Sequence, residues 1–312
     1  FPAWTDTAQV NTFLPEVRAA NIAVLNDIAA QADGVRCDMA MLLVTRIFAS
    51  TWGARAGQKP DKEFWWEVIR AVKGANPDFL FMAEAYWSME WELQMQGFDY
   101  CYDKRLYDRL GNATAEEINT HLSADITYQS HLVRFIENHD EPRAATTFGK
   151  DRAYISAVTA YTLPGARLFH EGQFEGWRVR LPVQLGRRCA ESVNEPLHAF
   201  YHKLLDTLAL PIFHDGTWQL CTCYGWPDNN SYENLLVWCW WHEDARWVMA
   251  VNYAAMPAQG MIHLPWGDLA GRQWTFTDLL GGDSYTRDGD ELDERGLYVG
   301  LGAWGVHVFQ VG

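Results

Sequence analysis

Short apolar runs alternate with helix-like segments over the first 210 residues of this 312-residue chain. Five of the runs are the length of a buried strand and end at turn-forming or polar residues. These runs begin at Gly34, Asp78, Phe98, His131 and Ala166. The segments around them have apolar residues at helical spacing and span 11–32, 61–74, 116–121, 153–162 and 196–208. Alternation of this kind predicts an α/β fold with a parallel sheet, closed or open.

The pattern changes near Pro211. Seven short runs of alternating polarity follow, separated by Gly, Asp and Pro turns, at 218–224, 235–241, 247–252, 261–264, 274–277, 297–299 and 306–311. Such spacing predicts an antiparallel β-domain. We therefore expect two domains, an α/β domain over residues 1–210 and an all-β domain over residues 211–312.

The amino-acid composition disfavours some classes of binding partner. The chain has 25 lysines and arginines against 40 aspartates and glutamates, a formal net charge of −15. A nucleic-acid partner is disfavoured, because such binding relies on basic patches. No apolar run reaches the ~18 residues of a membrane span. The cysteines form no C-x-x-C pair, so we expect reduced, mostly buried thiols; the compartment stays undetermined, with a cytoplasmic one slightly favoured.

Three of the predicted strands end in acids. These ends read Arg36-Cys-Asp38, Ala83-Glu84 and Asn138-His139-Asp140. In a β/α barrel, polar residues at the ends of strands face the catalytic mouth. Cleavage of a glycosidic bond needs one carboxylate that attacks the sugar and one carboxylic acid that protonates the leaving oxygen. A third anion can stabilise the positive charge of the transition state.

The surroundings of the first two acids suggest different roles for them. Arg36 stands two residues before Asp38, on the same strand face, where its charge would keep Asp38 ionised. Glu84 lies in a run of apolar residues, which we expect to form a wall that favours the protonated acid. Each motif also has a structural interpretation: an ion pair at Asp38, a buried paired acid at Glu84, and a turn or helix cap at Asp140.

Together these segments resemble the conserved segments of the α-amylase family of glycoside hydrolases, the family 13 type. The matching patterns are G-x-R-x-D, the strand ending in Glu84, and F-x-x-N-H-D. The resemblance implies a (β/α)8 TIM barrel with a C-terminal β-sandwich, with Asp38 as nucleophile, Glu84 as acid/base and Asp140 as transition-state stabiliser. It also implies that Arg36 and His139 bind substrate, and we expect Asn138 to do the same. From their positions alone, Tyr86 and Trp87, which follow the acid, are expected to stack on sugar rings. His170, which follows the last predicted strand, is expected to line the cleft, although an ordinary loop is an equal alternative.

Part of the family pattern has no match before Asp38. The missing segment follows barrel strand three and contains an Asp and an Asn-His pair that often hold calcium. The segment Trp4–Asn11 resembles the end of the domain that the family inserts after strand three, although Gln9 replaces an acid. We therefore expect an incomplete barrel, strands four to eight, truncated at its N-terminus. No cofactor is expected in this chain, with calcium possible in the full-length protein.

The expected function is that of a retaining glycoside hydrolase acting on α-1,4-glucans, with an α-glucan oligosaccharide or polysaccharide as partner and neither nucleic acid nor membrane. Three alternatives remain open. An α-glucan transglycosylase would use the same covalent intermediate. A non-catalytic fragment or binding protein is the second, because the missing first strands argue for an inert fragment. A metal-dependent barrel lyase is the third, disfavoured because Arg36 beside Asp38 would repel a cation.

Overall fold

A computed structural model describes residues 7–182 and 184–312, which form two compact units. The first unit contains the described residues up to Lys104 together with His131–Val133. The second contains Arg105–Ser130 and Arg134–Gly312. Residues 4–6, part of the segment likened to an inserted domain, lie outside the described residues, whereas Gln9 accepts a hydrogen bond of 2.8 Å from the Trp52 indole.

Parallel strands form the centre of the first unit, as the alternating pattern predicted. They are β1 (Gly34–Cys37), β2 (Leu80–Ala83), β3 (Tyr100–Tyr102) and the start of β4 (Leu132–Arg134). They are neighbours in that order, with Arg36 paired to Met82 and Met82 to Tyr100. The helices are α1 (Pro15–Ala29), α2 (Thr45–Trp52), α3 (Phe64–Ala75) and α4 (Glu90–Met95), with short 3-10 turns at Ala40–Leu43 and Gly53–Ala56.

The N-cap of helix α3 is Glu63, two residues after the expected N-cap, Asp61. The cause is Glu63, whose carboxylate accepts hydrogen bonds from the N–H (2.8 Å) and hydroxyl (2.7 Å) of Thr45. That tie keeps Glu63 extended, with φ −59° and ψ 142°, so the helix starts only at Phe64. The apolar face then packs inward as the spacing predicted, with Trp65, Val68 and Val72 all buried.

Most helices of the second unit precede its antiparallel strands along the chain. They are α5 (Lys104–Asn112), α6 (Ala115–Leu122), α7 (Ile126–Ser130), α8 (Ala144–Thr147), α9 (Gly149–Tyr161), α10 (Glu195–Leu208) and α11 (Ile212–Asp215). Strand β5 (Ala166–Arg167) is shorter than the run that predicted it. The N–H of Leu168 donates to the carbonyl of Arg134, the last residue of β4, at 2.9 Å.

Antiparallel strands fill the C-terminal part of the second unit, as predicted. A six-stranded sheet has the order β12-β11-β14-β9-β8-β6, and a three-stranded sheet has the order β13-β10-β7. Their bounds are β6 Thr217–Leu220, β7 Thr222–Tyr224, β8 Leu235–His242, β9 Ala245–Asn252, β10 Ala258–His263, β11 Gln273–Asp278, β12 Ser284–Asp288, β13 Leu297–Leu301 and β14 Val306–Val311. Helix α12 (Gly289–Arg295) and a 3-10 turn, Ser231–Asn234, complete the region.

One predicted strand, 218–224, is two strands in the structure. Strand β6 pairs with β8 in the six-stranded sheet, whereas β7 pairs with β10 in the three-stranded sheet. Buried Cys221 lies at the change of sheet, where its N–H still donates to Val237. Continuous alternation cannot distinguish one long strand from two that pass between sheets, because both bury every second residue. All six cysteines are free thiols.

None of the described helices combines the length and the apolar character needed to cross a lipid bilayer.

Candidate active site

The first two predicted acids lie at the ends of neighbouring parallel strands. Asp38 follows β1 and Glu84 follows β2. The backbone continues the strand pairing past both ends: Glu84 N–H donates to the Cys37 carbonyl at 3.0 Å, and Ala40 N–H donates to the Glu84 carbonyl at 3.1 Å. Sheet register therefore brings together two acids that are 46 residues apart in sequence.

One guanidinium contacts both carboxylates. Arg36 donates through Nη1 to Oδ1 of Asp38, and its Nη2 lies 3.1 Å from Oε1 of Glu84. The same guanidinium lies 5.5 Å from the centre of the Tyr102 ring. Burial alone would lower the pKa of Arg36, but the hydrogen bond to Asp38 and the charge of Glu84 raise that pKa above its ordinary value. Arg36 is therefore a permanent cation between the two acids.

The two acids differ in exposure and in contacts. The side chain of Asp38 is 79% exposed, whereas Glu84 is only 3% exposed. Oε2 of Glu84 accepts the N–H of Met39 at 2.6 Å, and Oε1 accepts the hydroxyl of Tyr86 at 3.2 Å. Asp38 thus presents a carboxylate to solvent, and Glu84 is fixed in place.

The expectation that the oxygens of Glu84 face an apolar wall is wrong. They face an N–H group, a guanidinium and a phenol hydroxyl. The reason is the alternation of a β-strand, which sends successive side chains to opposite faces. Phe81 and Ala83, both fully buried, therefore point to the face opposite that of Glu84.

Residues that follow each of the two acids adopt a left-handed backbone conformation. Met39 has φ 43°, Trp87 has φ 60° and Ser88 has φ 59°. These are three of the six non-glycine residues with positive φ among the residues described. Such conformations cost of order 1–3 kcal/mol each and concentrate at functional sites. At Met39 the turn aims the backbone N–H at Glu84, and Trp87, half exposed, is presented directly after Tyr86.

The third motif lies in the second unit, just after β4. Asn138 is buried, and its Oδ1 accepts the N–H groups of Asp140 (2.9 Å) and Glu141 (3.0 Å). His139 Nε2 lies 3.0 Å from Oδ2 of Asp140, and both side chains are nearly half exposed. Asn138 therefore shapes the turn that presents His139 and Asp140; its direct contact with substrate stays a prediction.

His170 belongs to a buried charge network that the sequence did not reveal. Glu137, almost fully buried, accepts from Arg143 Nη1 at 2.8 Å and from the N–H of Ala144 at 2.6 Å. The Nδ1 of His170 lies 2.6 Å from Arg143 Nη1 and 3.2 Å from Glu137 Oε1. The sequence did contain a signal for this network, because Glu137 stands in the apolar run before Asn138. A buried acid requires a cationic partner, so a nearby Arg or His could have been sought.

The structure thus gives two groups of candidate residues, one in each unit. Arg36, Asp38, Glu84 and Tyr86 contact one another in the first unit, where Trp87 follows them. Asn138, His139 and Asp140 form a turn in the second, and His170 is joined to Glu137 and Arg143. That all three acids act on one substrate stays a prediction.

Within residues 7–182 and 184–312, no group of three or more His, Cys, Asp or Glu side chains is arranged to hold a metal ion. A calcium requirement of the full-length protein stays a prediction.

Comparison with known proteins gives matches in sequence and in fold. No family model matches the chain. The α-amylase MalA of Haloarcula japonica is 30% identical over 185 residues, which are 57% of this chain and 25% of that protein. The maltogenic α-amylase AmyB of Thermotoga neapolitana superposes with a TM-score of 0.74 at 17% identity, covering 99% of this chain and 69% of that one. A debranching enzyme of Nostoc punctiforme superposes with a TM-score of 0.72 at 16% identity, covering 96% and 63%.

These matches confirm the resemblance to the α-amylase family that the three motifs indicated. The structural matches, at this level of identity, establish a shared fold. The chain spans about a quarter of the length of the curated relative it matches.

Proposed function

We propose that the protein is a retaining glycosidase of the α-amylase type that hydrolyses α-1,4-glucans. One observation carries the proposal: a single guanidinium, Arg36, joins an exposed Asp38 to a buried Glu84 at the ends of neighbouring parallel strands. An exposed, cation-held carboxylate suits a nucleophile, and a second carboxyl beside it suits an acid and base. The similarity to α-amylases supports the same assignment.

In this mechanism Asp38 attacks the anomeric carbon as Glu84 protonates the glycosidic oxygen, which leaves with the departing sugar. Oε2 of Glu84 accepts the Met39 N–H, and Oε1 faces the Tyr86 hydroxyl and the Arg36 guanidinium, so these contacts fix the carboxyl in position. Glu84 then removes a proton from water, which cleaves the ester between sugar and Asp38. Asp140 stabilises the positive charge of the sugar in both transition states. Acid–base assistance of this kind contributes about 10²–10⁴-fold.

We also propose a barrel position for each of the parallel strands. Strands β1, β2, β3, β4 and β5 correspond to strands four to eight of a (β/α)8 barrel, so the barrel is incomplete in this sequence. Residues 1–210 then form the catalytic part and residues 211–312 the C-terminal β-domain. The order of the three motifs along the chain supports this assignment.

The metal-dependent lyase is disfavoured by the same geometry. A divalent cation held by the two strand-end acids would compete with the guanidinium of Arg36, which already contacts both. Full activity in the presence of EDTA is the expected result, and loss of activity that Mg²⁺ restores would favour the lyase.

The test is the anomer first released from maltoheptaose, followed by NMR. Retention gives the α-anomer, and first release of the β-anomer would contradict the proposal. Glu84→Gln should reduce turnover by 10²-fold or more, with Glu92→Gln, on an exposed ion pair with Arg46, as the control. Longer oligosaccharides formed in excess maltoheptaose would identify a transglycosylase, and binding without turnover would identify a non-catalytic protein.

A further inference from the structure

Three aromatic side chains lie on the solvent-facing side of the three-stranded sheet, in the second unit. We infer that this surface, which we call the aromatic face (Tyr224, Trp226 and Tyr298), binds a neutral α-glucan chain. The choice of glucan as ligand rests on the proposed function. The site itself rests on the register, exposure and charge of residues within this unit.

Sheet register places two of the rings in one row. Met261 on the central strand β10 is paired with Tyr224 on β7 and with Tyr298 on β13. Directly paired residues point to the same face of a sheet. Tyr224 is 41% exposed and Tyr298 is 47% exposed, whereas Ile262, the next residue along β10, is fully buried. Two strand spacings separate the tyrosine positions by about 10 Å.

A tight turn adds the third ring. The N–H of Asn229 donates to the carbonyl of Trp226 at 2.9 Å, and Asp228 between them has φ 72°. Trp226 is 42% exposed, and its ring lies 6.5 Å from the ring of Tyr298 at an angle of 34°. The turn and Tyr224 border a cleft of about 610 Å³.

Hydrogen bonds hold the aromatic face in place. The hydroxyl of Tyr298 donates to Oε1 of Gln259 at 2.9 Å, and that of Tyr224 donates to the carbonyl of Arg295. The amide of Asn229 donates to the Gln259 carbonyl at 3.1 Å, which ties the turn to the sheet. Rings that are fixed before binding lose little conformational entropy when a ligand arrives.

The chemistry of the surface selects the class of ligand. The solvated face of an antiparallel sheet is ordinarily polar, so a cluster of exposed rings indicates a binding surface. Tyr and Trp rings offer an apolar face for the C–H groups of a sugar, and the amides nearby suit its hydroxyls. Asp228 carries the one formal charge among the residues that line the cleft, and it is negative. A phosphate, a nucleic acid or an acidic peptide would be repelled there.

The test is retardation of the whole chain in native gels that contain soluble starch. The double variant Trp226→Ala/Tyr298→Ala should bind starch at least fivefold more weakly than the unmodified chain. The matched control is Trp66→Ala, an exposed tryptophan of the first unit that stacks against Lys62 and Arg70. Equal thermal melting of all three proteins excludes unfolding as the cause.

Each outcome separates this inference from the proposed function. Weakened starch binding with unchanged turnover of a short maltotrioside supports the inference, and so does weakened binding in a chain that hydrolyses nothing. Unchanged retardation of the double variant overturns the inference, whether or not the chain is active. A third outcome is that the double variant still binds starch but no longer forms a dimer in sedimentation experiments. That result would overturn the inference and assign the surface to contact with a second copy of the chain.

Discussion

The central residue of the candidate site is Arg36, because its guanidinium contacts both Asp38 and Glu84. A lysine at this position would keep the charge but would lack the planar fork that reaches two carboxylates at once. Arg36→Lys should therefore lower kcat by about 10²-fold, the usual effect of losing one preorganised electrostatic contact in a catalytic site. Steady-state kinetics on maltoheptaose, with circular dichroism to confirm folding, measures this.

The matched control for that substitution is Arg46→Lys. Arg46 also donates through two nitrogens to one carboxylate, that of Glu92, but its side chain is exposed. We expect Arg46→Lys to leave kcat unchanged. Equal losses in both variants would mean that Arg36 supports the fold and has no particular role at the acids.

Contacts between neighbouring residues on one face of a strand were predictable from the sequence. The pairing of Arg36 with Asp38 followed from their spacing of two residues, which places both on one face. The contacts of Glu84 did not follow, because they come from the neighbouring strand and from the left-handed turn at Met39. Register between strands is set by packing of the whole sheet, which the local sequence does not encode.

The conformation of the loop after β5 depends on a glycine, Gly172. Gly172 has φ 86°, and a Cβ atom there would lie 1.8 Å from Cε3 of Trp177 and 2.2 Å from Nη2 of Arg143. Gly172→Ala should lower the free energy of unfolding by about 2–3 kcal/mol and disturb the network of Arg143 with Glu137 and His170. Urea unfolding followed by tryptophan fluorescence measures the loss.

The control is Gly74→Ala in helix α3, where nothing lies within 4 Å of the added Cβ. Alanine is the better helix former, so this variant should gain about 0.5–1 kcal/mol. A Gly172→Ala protein as stable as the unmodified chain would show that the loop adopts another conformation.

Strand β11 ends in a buried acid whose contacts make stability depend on pH. Burial alone would raise the pKa of Asp278, but its hydrogen bonds to His307 (2.7 Å) and to the N–H of Val308 (3.1 Å) outweigh burial and lower it. Because the pKa is lower in the folded state, the stabilisation is complete above about pH 4 and is lost as pH falls through the folded value.

Asp278→Asn should therefore cost about 1–3 kcal/mol at pH 7 and much less at pH 3. Urea unfolding at the two pH values measures the difference, with exposed Asp293→Asn as the control. A cost that is the same at both pH values would contradict the assigned role of the charge.

Elements were predictable where burial produced a pattern along the sequence. The parallel strands and the helices α3, α9 and α10 each have an apolar run or an apolar stripe that is buried, whereas α1 was predicted from an apolar stripe that stays largely half-buried or exposed. Short helices such as α2 and α4 were missed, since one or two turns show too little periodicity to recognise. Strand β12 was missed for a different reason: it lies at the edge of its sheet, and its sequence is polar.

The whole chain is acidic and combines α/β structure with antiparallel β structure. The class of fold was predictable because the change of periodicity near Pro211 separates the two kinds of structure. The grouping into compact units was not, since residues 131–133 belong with the first unit while the chain on either side belongs with the second. Contacts between distant segments decide such a grouping, and the sequence pattern does not record them.

Capture of the glycosyl-enzyme intermediate is the sharpest test of Asp38 as the nucleophile. A fluorinated maltosyl fluoride, which forms the covalent intermediate but releases it slowly, is incubated with the protein before proteolysis and mass spectrometry. We expect one added glycosyl group on the peptide that contains Asp38, and none in Asp38→Asn. An adduct on any other residue, or turnover by the Asp38→Asn protein at the original rate, would contradict it.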